Sequence, residues 1–137
     1  MITSAHIVAG QALGGAELFH VRLVNALLEQ GQPVLAINSP GGGVAAKLRA
    51  EVRQFHVPMR AIWDLPSRWR IGKILRDHRP DIVQTYMGRA TRLTHLGLGQ
   101  RPIHVARLGG YYDLKGYRHA HAWVGNTQGI CDYLVRN

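Results

Sequence analysis

The sequence predicts one open α/β domain, a parallel sheet flanked by helices, on three observations. Short β-rich segments alternate with helical ones from end to end. A glycine loop, Gly10-Gln11-Ala12-Leu13-Gly14-Gly15-Ala16-Glu17, opens from an apolar segment directly onto a helix. The chain has 137 residues, enough to fold around one core but too few for a second domain of ordinary size.

In chain order, Ala5–Ala9 reads as the first strand. After the glycine loop, Ala16–Gln30 is a helix with His20, Val21, Val24, Leu27 and Leu28 on one face and Arg22, Asn25 and Glu29 on the other. Gly31 ends it as a C-cap. Pro33–Asn38 carries the second strand, and Ser39-Pro40-Gly41-Gly42-Gly43 leads into a helix with Val44, Leu48 and Val52 at a spacing of four. Gln54–Val57 is a short third strand, and Pro58–Leu65 is irregular. Pro66–Asp77 follows as a helix, with Ile71, Ile74 and Leu75 inward, Arg68, Arg70, Lys73 and Arg76 mostly outward, and Arg79-Pro80 as its breaker. Asp81–Thr85 is a buried strand, and Gly88–Gly99 is the next helix, with Leu93 and Leu96 toward the sheet. Ile103–Leu108 is the fifth strand, Tyr111–His119 an aromatic and basic loop, and Ala122–Gly125 the sixth strand. Asn126 or Thr127 caps a last helix through Ile130, Tyr133 and Leu134, which ends without a following strand and so predicts a longer protein.

Seventeen basic residues against eight acidic ones give a formal charge of +9, a bias toward anionic partners such as phosphorylated small molecules, anionic lipid or nucleic acid. The single cysteine, Cys131, excludes an internal disulfide framework and suits a reducing compartment. No basic leader precedes an apolar run, and no stretch approaches the roughly 20 apolar residues of a membrane span. A soluble, cytoplasmic protein is expected, one that can dock on a membrane surface.

In a parallel sheet the ligand crevice lies outside the carboxyl ends of the strands. The segments there are rich in glycine, arginine and tyrosine: Gly14-Gly15, Ser39–Gly43, Tyr86–Arg89, Arg107–Tyr112 and Asn126-Thr127. Backbone amides at Gly14 and Gly15, with the positive end of the helix dipole, suit a phosphate. Glu17, Tyr86, Arg89, Arg107 and Tyr111 are the candidate substrate contacts, since guanidinium groups bind anions and aromatic rings stack on sugars. Glu17 also has a purely structural use, offsetting the dipole in the first helical turn.

Several chemistries are disfavoured. The first loop has Ala12 where the dinucleotide fingerprint needs glycine, and Asn38-Ser39 replaces the expected acid, so NAD is not expected. No Gly-Lys-Ser/Thr follows a glycine loop, and no Gly-x-Ser-x-Gly elbow is present. His119-x-His121 has no cysteine or carboxylate nearby to complete a metal site, so the eight histidines read as ordinary surface or core residues and no metal is expected. The basic helix Arg68–Arg79, with Ile62, Trp63, Leu65 and Trp69 beside it, reads either as a solvated face or as a surface for anionic lipid. Nucleic acid is not expected, because no helix-turn-helix, zinc or RNA-recognition signature accompanies the charge.

The chain resembles the N-terminal domain of family 4 glycosyltransferases, enzymes of the GT-B fold. The resemblance rests on Gly14-Gly15-Ala16-Glu17 after the first strand, the step Leu27-Leu28-Glu29-Gln30-Gly31-Gln32-Pro33-Val34, the strand Arg79-Pro80-Asp81-Ile82-Val83-Gln84-Thr85-Tyr86, and the closing Ala122-Trp123-Val124-Gly125-Asn126-Thr127 with Ile130 and Leu134. It implies a Rossmann-like, acceptor-side domain covering residues 1–137 of a retaining, metal-independent enzyme with no cofactor. The donor would be a nucleotide sugar and the acceptor a lipid-linked or lipopolysaccharide glycan at the inner face of the membrane. Gly14 and Gly15 would touch the donor's phosphates, most of which a C-terminal domain absent from this sequence would hold, so the chain alone would not turn over. Where many members have a histidine after the fifth strand, this chain has Leu108-Gly109-Gly110, and the catalytic residues stay unassigned. Without the family, the residues support a basic α/β module that binds phosphorylated ligands or anionic membrane without chemistry, or another nucleotide-dependent enzyme.

Overall fold

In the computed structural model, which describes residues 1–96 and 102–137, six parallel strands form one sheet in the order β3-β2-β1-β4-β5-β6. They are β1 (Ser4–Val8), β2 (Val34–Asn38), β3 (Arg53–His56), β4 (Ile82–Tyr86), β5 (Ile103–Leu108) and β6 (Ala122–Gly125). The helices are α1 (Gly15–Glu29), α2 (Gly43–Lys47), α3 (Leu65–His78), α4 (Met87–Leu93) and α5 (Gln128–Arg136). This is the Rossmann-like arrangement expected, and β1 and β4, paired from Ser4 opposite Ile82 to Val8 opposite Tyr86, flank the point where strand order reverses.

Alternation along the central strands divides the core. Ala5, Ile7, Leu35, Ile37 and Val83 face α3 and α4 through Ile71, Ile74, Leu75, Ala90 and Leu93. Val8, Val34, Ala36 and Tyr86 face α1 and α2 through Val21, Val24 and Val44. Ala106, Leu108, Tyr117, Ala120 and Ile130 form a third cluster toward β6 and α5.

Two helices are shorter than the periodicity predicts. Val44, Leu48 and Val52 are all buried, yet α2, expected to carry all three at a spacing of four, stops at Lys47. The Asn25 side chain donates to the Lys47 carbonyl at 3.2 Å and accepts from the Arg49 amide at 3.0 Å, replacing the next helical bonds. In α4 the Thr94 hydroxyl donates to the Ala90 carbonyl at 2.9 Å, taking the acceptor a continuing helix would need. The helix ends at Leu93, with Leu96 half-buried against the core; Gly97 to Gly99, the end of the expected helix, lie outside the described residues.

The other termini follow the sequence. Gly31, at φ +75°, closes α1 in a Schellman motif, its amide on the Leu28 carbonyl and that of Gln32 on Leu27. Asp64 caps α3 by accepting from the Ser67 amide at 3.2 Å, and Thr127 caps α5 by accepting from Ile130.

Candidate functional site

At the reversal point, just beyond the ends of β1 and β4, lies a groove of about 340 Å³ lined by Ala9–Ala12, Glu17, Tyr86, Met87, Arg89 and Ala90. Its volume falls within the range of small-molecule sites, about 300–1,000 Å³. Glu17 and Arg89 both approach Gly10: a methyl group built there would stand 3.5 Å from an Arg89 guanidinium nitrogen and 4.0 Å from a Glu17 carboxylate oxygen. Gly10 is at φ +109°, a conformation that favours glycine.

The loop is held from behind. The Gly10 amide donates to the Ser39 hydroxyl at 3.2 Å, and that hydroxyl donates to the Pro58 carbonyl at 3.2 Å. The Gly43 amide bonds the Gln11 carbonyl at 3.4 Å. Gly14 begins α1 with an extended backbone and no side-chain cap, and both Gly14 and Gly15 are exposed. A Cβ at Gly15 would meet nothing within 4 Å, so the space over the first helical turn is open.

Of the substrate contacts expected from sequence, Glu17 and Arg89 come together. One nitrogen of Arg89 donates to the Arg60 carbonyl at 3.0 Å, which fixes the fork and leaves its other donors for an anion. Arg107 lies one cleft along, beside Ala16, Tyr86, Met87, Gly109 and Asn126, with its guanidinium 3.7 Å from the centre of the Phe19 ring. Tyr111 is 64% exposed and packs edge-on against Tyr133 of α5. It lines neither cleft. Tyr86 presents only a wall, because the residue is 1% exposed and its hydroxyl is hydrogen-bonded to His6 Nδ1 at 2.8 Å.

Tyr86 belongs to a buried polar cluster beneath the groove. His6 spans Tyr86 and Ser4, its Nε2 lying 2.9 Å from the Ser4 hydroxyl. His20 stands edge-on to Tyr86 with ring centres 4.9 Å apart, and neither of its nitrogens has a hydrogen-bond partner among the described residues. Burial pulls the His6 pKa down to about 4. Burial, then the neighbouring His6, pulls His20 down to about 3. Burial also raises the Tyr86 phenol above its ordinary value.

Three further histidines, His104, His119 and His121, join elements. The His119 Nε2–H donates to the Thr91 carbonyl at 2.8 Å, and the His104 amide donates to His121 Nδ1 at 2.9 Å. His104 meets the Thr85 hydroxyl at 2.9 Å and is lowered to about 3, mainly by burial. Among the described residues no three His, Cys, Asp or Glu side chains converge as a metal site. Sequence reasoning missed Met87, whose φ of +72° is a strained conformation for a side-chain-bearing residue at the groove wall. It also missed Ser39 as the clasp. Ser39's position directly after β2 was the available signal; nothing in the sequence signals the strain at Met87.

No family model matches the chain. It is 32% identical over 106 residues to the lipopolysaccharide core biosynthesis glycosyltransferase LpsD of Rhizobium meliloti, covering 76% of this chain and 30% of that protein. It is also 32% identical over 122 residues to LpsE, a glycosyltransferase of the same description and organism, covering 87% of this chain and 35% of that protein. The chain thus spans 30% and 35% of the lengths of these two relatives. Among solved structures, Anabaena HepE in complex with UDP and glucose superimposes with a TM-score of 0.70 at 14% identity, over 99% of this chain and 41% of that one. Acinetobacter baumannii MurG gives 0.67 at 15% identity, over 91% and 41%. At such identities the structural likeness shows the fold. The curated relatives of this chain are glycosyltransferases, and its fold is the Rossmann-like parallel sheet of a GT-B N-terminal half.

Proposed function

We propose that the chain is the acceptor-side, N-terminal domain of a retaining, metal-independent glycosyltransferase of family 4. It serves transfer from a nucleotide-sugar donor to a lipid-linked or lipopolysaccharide glycan at the cytoplasmic face of the membrane. The observation that carries this reading is the 32% identity to LpsD and LpsE over most of the chain. The groove at the strand-order reversal supports it, and the UDP and glucose of the HepE complex support a nucleotide sugar as donor.

In this reading the Gly14 and Gly15 amides touch the donor's diphosphate, which a C-terminal domain of the longer protein mainly holds. The Glu17 carboxylate accepts hydrogen bonds from acceptor hydroxyls, and Arg89 and Arg107 hold its anionic groups. Tyr86 shapes the wall, and Tyr111 meets the acceptor farther along the rim. Transfer then depends on positioning and on stabilising the departing diphosphate. Neither metal nor cofactor has a part.

Titrating the full-length protein with a panel of nucleotide sugars and dinucleotides tests the reading. Saturable binding of a nucleoside diphosphate sugar, with transfer to a lipopolysaccharide core acceptor, is expected. Saturable binding of NAD(P) alone overturns it.

A further inference from the structure

Almost every acid of this chain is engaged by the chain itself. Glu29 and Glu51 meet Arg49, and Asp77 meets Lys73. Asp64, Asp81, Asp113 and Asp132 accept hydrogen bonds from Ser67, Thr3, Lys115 and Gln128. Among the described residues, Glu17 is the one carboxylate with neither an ion pair nor a hydrogen bond, and it stands half-buried on the groove. Arg89, which approaches the same glycine, also has no carboxylate partner among the described residues, although the Arg60 carbonyl holds its guanidinium in place at 3.0 Å.

A Cβ at Gly10 would lie 3.5 Å from the Arg89 nitrogen and 4.0 Å from the Glu17 oxygen, so those two atoms are at most about 7.5 Å apart. Opposite charges this close do not close on each other. The helix dipole accounts for a carboxylate in the first turn, but not for a fixed guanidinium left unpaired beside it. With a hydrogen bond of about 2.8 Å at each end, the gap matches neighbouring substituents of a single sugar ring. The guanidinium takes an oxyanion, and the carboxylate, an acceptor only, takes hydroxyl protons. A neutral sugar leaves Arg89 unused, whereas a bare anion gives Glu17 nothing. Ala9, Met87 and Ala90 supply an apolar wall for the C–H face of the ring, and about 340 Å³, near the low end of the ~300–1,000 Å³ of small-molecule sites, suits one ring better than a chain.

We propose that the groove binds an acidic sugar, a pyranose whose carboxylate or phosphate ester meets Arg89 while its neighbouring hydroxyls meet Glu17. The inference rests on the proposed function and deepens it: the residue of the acceptor that receives the transferred sugar is an acidic one. The two side chains read an anion and a diol on the same ring, which selects against neutral sugars and against bare anions alike.

The test is saturation-transfer NMR titration of the full-length protein with methyl β-glucuronide and glucose 6-phosphate, against methyl β-glucoside, acetate and inorganic phosphate. At least one acidic sugar is expected to bind about tenfold or more tightly than the neutral glycoside and either bare anion, the gain from one hydrogen-bonded charge; the stronger of the two names the acid. Arg89→Gln should abolish that preference, and Glu17→Gln should weaken the acidic sugars and the neutral glycoside together. If Arg89→Gln lowers the Tm through its lost bond to Arg60, the wild-type comparison still decides. Equal affinity for acidic and neutral sugars, bare anions that bind as tightly as the sugars, or a preference that survives in folded Arg89→Gln overturns the proposal. Transfer by a protein that lacks the preference removes this inference and leaves the enzyme reading; the preference in a protein that takes no nucleotide sugar does the reverse.

Discussion

Among the described residues nothing demands glycine at position 15, where a Cβ would meet no atom within 4 Å. Gly15→Val is therefore expected to leave the melting temperature nearly unchanged, while an object brought over the loop would collide with the new side chain. If the proposed function holds, transfer by the full-length protein should fall about 100-fold, the loss seen when one donor to a developing oxyanion is displaced; unchanged kcat would reduce the loop to a tight turn. The buried histidines make a second residue-level prediction. His6, His20 and His104 stay neutral down to about pH 4, 3 and 3, whereas in the unfolded chain they take up protons below about pH 6.5. Stability is thus full above about pH 6.5 and lost as pH falls toward 4, each histidine removing up to about 1.4 kcal/mol per pH unit. Because His20 leaves both nitrogens unpartnered, His20→Phe should flatten that slope by about one proton, as read from denaturant unfolding at pH 7 and pH 5. An equal effect at both pH values would refute it.

At the scale of the element, Gly31 separates backbone strain from collision. Its φ is +75° with no atom within 4 Å of a built Cβ, so Gly31→Ala should cost about 1 kcal/mol from the left-handed conformation alone, measured as a lower midpoint at constant m-value. The same helix end was legible in the sequence because a glycine at a helix terminus has a local cause. The ends of α2 and α4 were not, because their causes are non-local or depend on one rotamer. The spacing of Val44, Leu48 and Val52 suggested one continuous helix, but the Asn25 side chain that stops α2 lies on another helix. Thr94 looks like any helical threonine until its hydroxyl takes the Ala90 carbonyl. Of the site, strand-end position singled out Arg89 and the first helical turn singled out Glu17, and the two meet in one groove. It misjudged how Tyr86 is presented, since the partner that draws the phenol inward, His6, is 80 residues away in sequence.

For the whole molecule, the groove lies where β1 and β4 part, a place fixed by strand order more than by any single residue. The chain covers only 30% and 35% of its curated relatives, and in the proposed enzyme the donor is held mainly by the remainder. The 137-residue chain by itself is accordingly expected to give no transfer with any nucleotide sugar under conditions in which the full-length protein turns over; transfer by the chain alone would mean that the groove is a complete active site. The fold class followed from alternation and length because both act on the whole chain at once, whereas the contact between Arg60 and Arg89, 29 residues apart, required the folded chain.

The Ser39 hydroxyl takes the Gly10 amide and reaches the Pro58 carbonyl, so one atom fastens the loops after β1, β2 and β3 to each other. Their freedom is given up when the protein folds, and a ligand or a closing domain meets a rim already set in shape. Ser39→Ala, which removes both bonds at once, would return that freedom and let the rim adjust to what it meets.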